Sequence, residues 1–119
     1  TSYYHISKRD VPVSHWGKLD RPLIKAGRYT AAVSWTGTMF EYFMPSLFLP
    51  LYENSFRYEA LKVCLNEQKA FAGSKQPYGV SESGYYAFDP ALSYRYRANG
   101  IRSLALKRGA EASTCSVWL

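Results

Sequence analysis

A mainly helical, single partial domain with long ordered loops is the architecture this sequence predicts, and three observations lead to it. An apolar run from Thr38 to Tyr52 follows residues that favour helix caps. A second run, from Ser55 to Ala72, places Phe56, Ala60, Val63, Cys64 and Phe71 at roughly a 3.6-residue repeat. The connections between helices are long and aromatic, which is uncommon in compact helical domains unless the loops line a site. Two or three helices are too few to cover so much aromatic surface, so residues 1–119 read as one piece of a larger body.

Taken in order, Thr1 to Lys8 reads as the tail of a helix, stopped by Asp10-Val11-Pro12 because the residue before a proline avoids the helical region. Val13 to Tyr29 alternates turn formers with single apolar anchors and predicts an ordered connection with at most short strands. Thr30 to Trp35 favours an extended backbone. Ser34 or Thr36 then caps a helix that runs to about Tyr52, with Pro45 kinking or splitting it. Asn54 or Ser55 caps the next helix, and Gly73-Ser74-Lys75 ends it. Pro77 to Tyr86 is strand-like or loop, Phe88-Asp89-Pro90 is a turn, and Tyr94 to Arg97 is extended or a single helical turn. After Gly100, a last helix is expected over Ile101 to Ala112.

Composition narrows the function. A length of 119 residues suits one domain, and 47% apolar with 20% charged residues is a globular balance. Eleven tyrosines, three tryptophans and six phenylalanines bring aromatics to 17%, and tyrosine's flat face and polar tip suit ring-shaped polar ligands. The net charge is +6, but the basic residues are scattered, which argues against a nucleic-acid footprint. Cys64 and Cys115 lack metal-ligand or CxxC spacing, and His5 and His15 are isolated, so no metal site and no cofactor are expected. Cys64 reads as a small buried hydrophobe. No apolar run is long enough to span a bilayer.

Two carboxylates stand out. Glu41 interrupts the apolar run Ser34 to Pro45, and its helical neighbours Gly37, Thr38, Met44 and Pro45 offer no ion-pair partner. Glu82 lies in Gly79-Val80-Ser81-Glu82-Ser83-Gly84, where the glycines allow close approach of a ligand or of backbone. The bland readings are an exposed helix glutamate and a loop glutamate bonded to nearby amides. The functional reading rests on the cost of placing carboxylates among aromatic rings, a cost borne most often where they do acid/base work. Trp16, Trp35, Tyr78, Tyr85 and Tyr86 are the candidates for stacking on sugar rings.

The segments Asp10 to Val13, His15-Trp16, Arg21-Pro22-Leu23, Ser34 to Tyr42 and Met44-Pro45 resemble the glycoamylase-like domain of bacterial cyclic β-1,2-glucan synthases. Gly79 to Ser83, Tyr94 to Ala98, Gly100 and Leu106 to Gly109 continue the resemblance in order. It covers about residues 1–109, and residues 110–119 depart from the family pattern. The resemblance implies an (α/α)6 barrel, of which this chain supplies about a quarter, as a truncated reading frame or an excised piece would.

It further implies action on β-1,2-glucan oligosaccharide or polysaccharide, by ring-closing transglycosylation or by hydrolysis, with Glu41 and Glu82 as the acid/base pair. The rest of the parent enzyme is the implied partner, on the cytoplasmic side of the bacterial inner membrane, with the isolated piece soluble and inactive. Sequence does not divide the roles between the two glutamates. The alternative is a non-catalytic carbohydrate- or protein-binding fragment that self-associates through exposed apolar faces.

Overall fold

The chain begins with a short helix, α1 (Ser2–Ser7), closed by a hydrogen bond from the Asp10 amide to the His5 carbonyl and by a 3.0 Å contact between His5 Nδ1 and Asp10 Oδ2. The computed structural model describes residues 2–74 and 76–107. Beyond Pro12, the anchors Val13–Lys18 wind into a 3-10 turn. The connection expected before Tyr29, with at most short strands, contains one arm of a hairpin. Strand β1 (Leu23–Ala26) pairs antiparallel with β2 (Tyr29–Ala32), with Ala26 opposite Tyr29. Gly27 has a positive φ of 60° and Arg28 does not. That is the pattern of a type II′ turn, in which glycine takes the first central position.

Helix α2 (Met39–Phe43) is shorter than the run to Tyr52 that its apolar pattern predicts. Pro45 converts the continuation into a 3-10 turn, Met44–Leu47, because its ring removes an amide donor and crowds the preceding turn. The cap is also different. Thr38, not Ser34 or Thr36, is the N-cap, and it forms a reciprocal capping box with Glu41.

Helix α3 (Phe56–Ala72) is the longest element, capped by Ser55 and ended at Gly73. Its buried stripe is Leu61, Val63, Cys64, Gln68 and Ala72. Phe56 and Phe71, expected on that stripe, are instead exposed. Strands β3 (Glu82–Gly84) and β4 (Tyr96–Ala98) form a second antiparallel ribbon with Glu82 opposite Ala98.

The helix expected over Ile101 to Ala112 does not form across its described part; residues 108–112 lie outside the described residues. Arg102–Leu104 is a 3-10 turn, and Ala105 makes a parallel bridge with Ser34. The Ser34 amide donates to the Leu104 carbonyl and the Leu106 amide to the Ser34 carbonyl. Pairing with residues 34–35 therefore occupies the backbone groups a helix would need.

The core is small. Ala31, Val63, Cys64, Val80, Ile101 and Leu104 are buried together, with Ile24, Ala26, Tyr29, Tyr42, Phe43 and Ala60 packed around them. The hairpin thus lies on α3, with α2 and the 101–105 segment closing the sides. Cys64 is indeed buried, and burial pushes its thiol up to about 12. Among the described residues, no helix is long and apolar enough to cross a membrane.

Candidate functional site

The loop Ser34 to Thr38 is bent so that successive backbone amides point the same way. Gly37 makes this possible with φ of 76°, and a Cβ there would run into the Ile101 carbonyl oxygen. The amides of Thr36, Gly37 and Thr38 all donate to Glu41 Oε2, at 3.0, 3.0 and 3.4 Å, and Thr36 Oγ1 donates to Oε1 at 2.8 Å. Glu41 therefore has many partners, all of them hydrogen-bond donors rather than the helical ion pair whose absence drew attention to it.

Burial pushes the Glu41 carboxyl up, but hydrogen bonds from Ser34, Thr36 and Thr38 outweigh it and hold the group below its ordinary value. Donors converging on both oxygens favour its ionised form.

Thr38 ties the second carboxylate to the first. Its hydroxyl accepts from the Glu41 amide at 3.2 Å and donates to Glu82 Oε1 at 2.6 Å, within the range of charge-assisted bonds. Ser81 Oγ donates to Glu82 Oε2 at 2.7 Å and accepts from the Phe40 amide at 3.0 Å. Thr38 is wholly inaccessible to solvent, whereas both glutamates are half-buried. Two carboxylates 41 residues apart in sequence thus meet across one threonine. The Phe40 and Met39 amides at the start of α2, which lack intrahelical acceptors, are satisfied by Ser81 Oγ and the Val80 carbonyl.

The stacking candidates divide. Trp35, 61% exposed, sits beside Thr36 in the amide-rich loop, and Tyr78 precedes Gly79, against which Met39 packs. Tyr85 continues the second ribbon with the Arg95 guanidinium 4.4 Å from its ring centre. Tyr86 projects into solvent. Trp16 stands elsewhere: with the Arg21 guanidinium 3.8 Å from its ring centre, it lines an apolar groove of about 300 Å³ with Tyr3, Leu49, Pro50, Tyr52 and Phe56. None of those residues bonds either glutamate.

Sequence reasoning passed over Thr38, Ser81 and Tyr96. Thr38 was visible in the pattern Thr-x-x-Glu before an apolar run, the signature of a capping box. Tyr96 lies opposite Gly84 in the ribbon that places Glu82 opposite Ala98, so it shares Glu82's face of the ribbon. Desolvation, then the nearby charges of Glu82, Tyr94 and Glu41, raise its phenol. Among the described residues, no group of three metal-binding side chains comes together.

Comparison with known proteins relates the sequence to a glucan synthase. No protein-family profile matches the chain. Over 110 residues, 92% of this chain, it is 38% identical to the cyclic beta-(1,2)-glucan synthase NdvB of Rhizobium meliloti (strain 1021). The chain spans about 4% of that protein's length.

Proposed function

We propose that the chain is part of a glycoamylase-like module of (α/α)6-barrel type that acts on β-1,2-glucan, with Glu41 and Glu82 as its paired carboxyl groups. The observation that carries the proposal is Thr38, whose backbone amide donates to the Glu41 carboxylate and whose hydroxyl donates to the Glu82 carboxylate. The relation to a cyclic glucan synthase supplies the substrate class.

The partners of each carboxyl divide the labour. Three of Glu41's donors are backbone amides, which can only donate, so protonating Glu41 sets proton against proton. Glu82's partners are two hydroxyls, and a hydroxyl can turn to accept as well as donate. Glu82 therefore tolerates both protonation states and suits the role of general acid, giving its proton to the leaving glycosidic oxygen. Glu41, held ionised, attacks the anomeric carbon as nucleophile while the glycosidic bond breaks, forming a glycosyl–enzyme. Transglycosylation and hydrolysis share this first step. Trp35 and Tyr78, next in sequence to Thr36 and Gly79, are the platforms for glucose rings in this reading.

Kinetics of the parent polypeptide on linear β-1,2-glucan test the reading. Glu41→Gln and Glu82→Gln should each lower turnover by about 10²–10⁴-fold. Glu53→Gln, an exposed position outside the site, should leave it unchanged. Near-normal turnover in either site variant would remove that glutamate from the chemistry.

A second reading, self-association without catalysis, is favoured by the apolar groove around Trp16 and by the exposed Leu47 and Phe48 beside α2.

A further inference from the structure

We infer that Gln68 is a positioning residue that sets the separation of the two carboxyl groups, an inference resting on the paired-glutamate reading above. Gln68 lies on α3 and is completely buried, with every polar atom of its amide engaged. Its Oε1 accepts from the amides of Val80 at 2.7 Å and Gly79 at 3.1 Å, while its Nε2 donates to the Val80 carbonyl at 3.0 Å. The side chain thus grips both the N–H and the C=O of one residue, as a neighbouring strand would.

That grip passes directly to the site. The Val80 carbonyl also accepts from the Met39 amide at 2.9 Å, so α3 and the first turn of α2 share one acceptor. Ser81, the next residue, joins Phe40 to Glu82, and Glu82 reaches Thr38. Gln68 is therefore the point at which the longest helix fixes the register of residues 79–82 against residues 38–41. An apolar side chain would satisfy the burial of this position equally well. Only an amide, carrying donor and acceptor together, satisfies the Val80 backbone on both sides. A buried polar group with every bond made specifies one arrangement rather than merely adding stability.

The test compares three variants of the parent polypeptide. Gln68→Met keeps the volume and removes all three bonds. Gln68→Glu keeps acceptors for the Gly79 and Val80 amides but sets an oxygen against the Val80 carbonyl. Val63→Ala, a fully buried core position on the same helix, is the control for lost stability alone. Assayed below the melting temperature of all three, Gln68→Met should lose about 10–100-fold in kcat, as expected for displaced catalytic groups. Its KM should change less than threefold, and the acid limb of its pH–rate profile should move. Gln68→Glu should show a smaller loss of the same kind, and it decides the matter if Gln68→Met does not fold. Val63→Ala should lower melting temperature without moving kcat or the profile.

Amide hydrogen exchange gives a readout independent of activity. Protection should fall at Met39, Phe40, Gly79 and Val80 in the Gln68 variants while the β1–β2 hairpin keeps its own. Unchanged kcat, pH profile and exchange in folded Gln68 variants would overturn the inference. Glu82→Gln assayed alongside separates the two failures: full activity there sinks the glutamate pair itself, while exchange still reports whether Gln68 holds the loop.

Discussion

At Glu41 a capping residue and a candidate catalytic residue are the same side chain, and the two roles make different demands on its protonation. The carboxylate satisfies the amides of Thr36, Gly37 and Thr38, and that convergence, against burial, lowers its pKa below the ordinary 4.5. A depressed folded-state value contributes stability that is fully present above the unfolded value and is lost as pH falls through the folded one. Stability of the wild-type chain should therefore decline on acidification below about pH 4.5, with Glu41 part of the slope. Glu41→Gln should remove that part and cost about 1 kcal/mol at neutral pH, since one amide oxygen replaces a carboxylate in the cap. Denaturant unfolding from pH 3 to 7 measures both, and parallel curves for the two proteins would contradict the assignment. The apolar run around Glu41 made it conspicuous in the sequence, but the reason it is tolerated there was written three residues earlier, at Thr38. Glu82's contact with Thr38 spans 44 residues, and no local pattern encodes a contact of that range.

Among the elements, those specified by near neighbours were the legible ones. Ser55 and Gly73 bracket α3 at the positions that their cap chemistry predicts, and Pro45 breaks the α2 run where an interior proline must. Residues 101–107 went the other way. Ile101, Leu104 and Ala105 carry an apolar spacing compatible with a helix, yet the segment forms only the 3-10 turn Arg102–Leu104 and is tied to residues 34–37, from the Ile101 amide to the Gly37 carbonyl and from the Lys107 amide to the Trp35 carbonyl. Two glycines permit this approach. Gly100 would push a Cβ into the Thr36 carbonyl oxygen, and Gly37 would push one into that of Ile101. Tyr42 completes the junction, donating to the Ala32 carbonyl at 2.9 Å and accepting from the Ser34 amide at 3.2 Å. Gly37→Ala should thus be far worse than an ordinary loop substitution. It adds strain of about 1–3 kcal/mol at a positive φ and pushes residues 101–105 off the amide loop that holds Glu41. Thermal unfolding should show the loss, and Gly17→Ala, where a Cβ meets nothing within 4 Å, is the control. Equal stability of the two variants would mean the loop yields more readily than its contacts imply.

For the molecule as a whole, the balance of buried and exposed apolar surface points to a partner. The largest fully buried side chains are Leu104, Gln68, Val63, Thr38 and Cys64, while Trp35, Phe48, Tyr52, Tyr86 and Phe88 are each more than half exposed. Among the described residues, no aromatic side chain is buried, although aromatic side chains carry the largest gain on burial. A stable monomer seldom leaves its rings outside and packs alanines and valines within. This surface includes the Trp16 groove, with Tyr52 and Phe56 in its lining, and the exposed Leu47 and Phe48 at the end of the turn after α2. As an isolated polypeptide at micromolar concentration, the chain should therefore associate, and sedimentation should give a mass above 13.6 kDa. Leu47→Ser combined with Phe48→Ser should shift it toward monomer, because both side chains are 76% exposed. Such exposed replacements should change unfolding free energy by no more than about 0.5 kcal/mol each. A loss of association without a loss of stability separates a docking surface from a misfolded core. A compact monomer that ignores the double substitution would mean that the exposed rings contact only solvent.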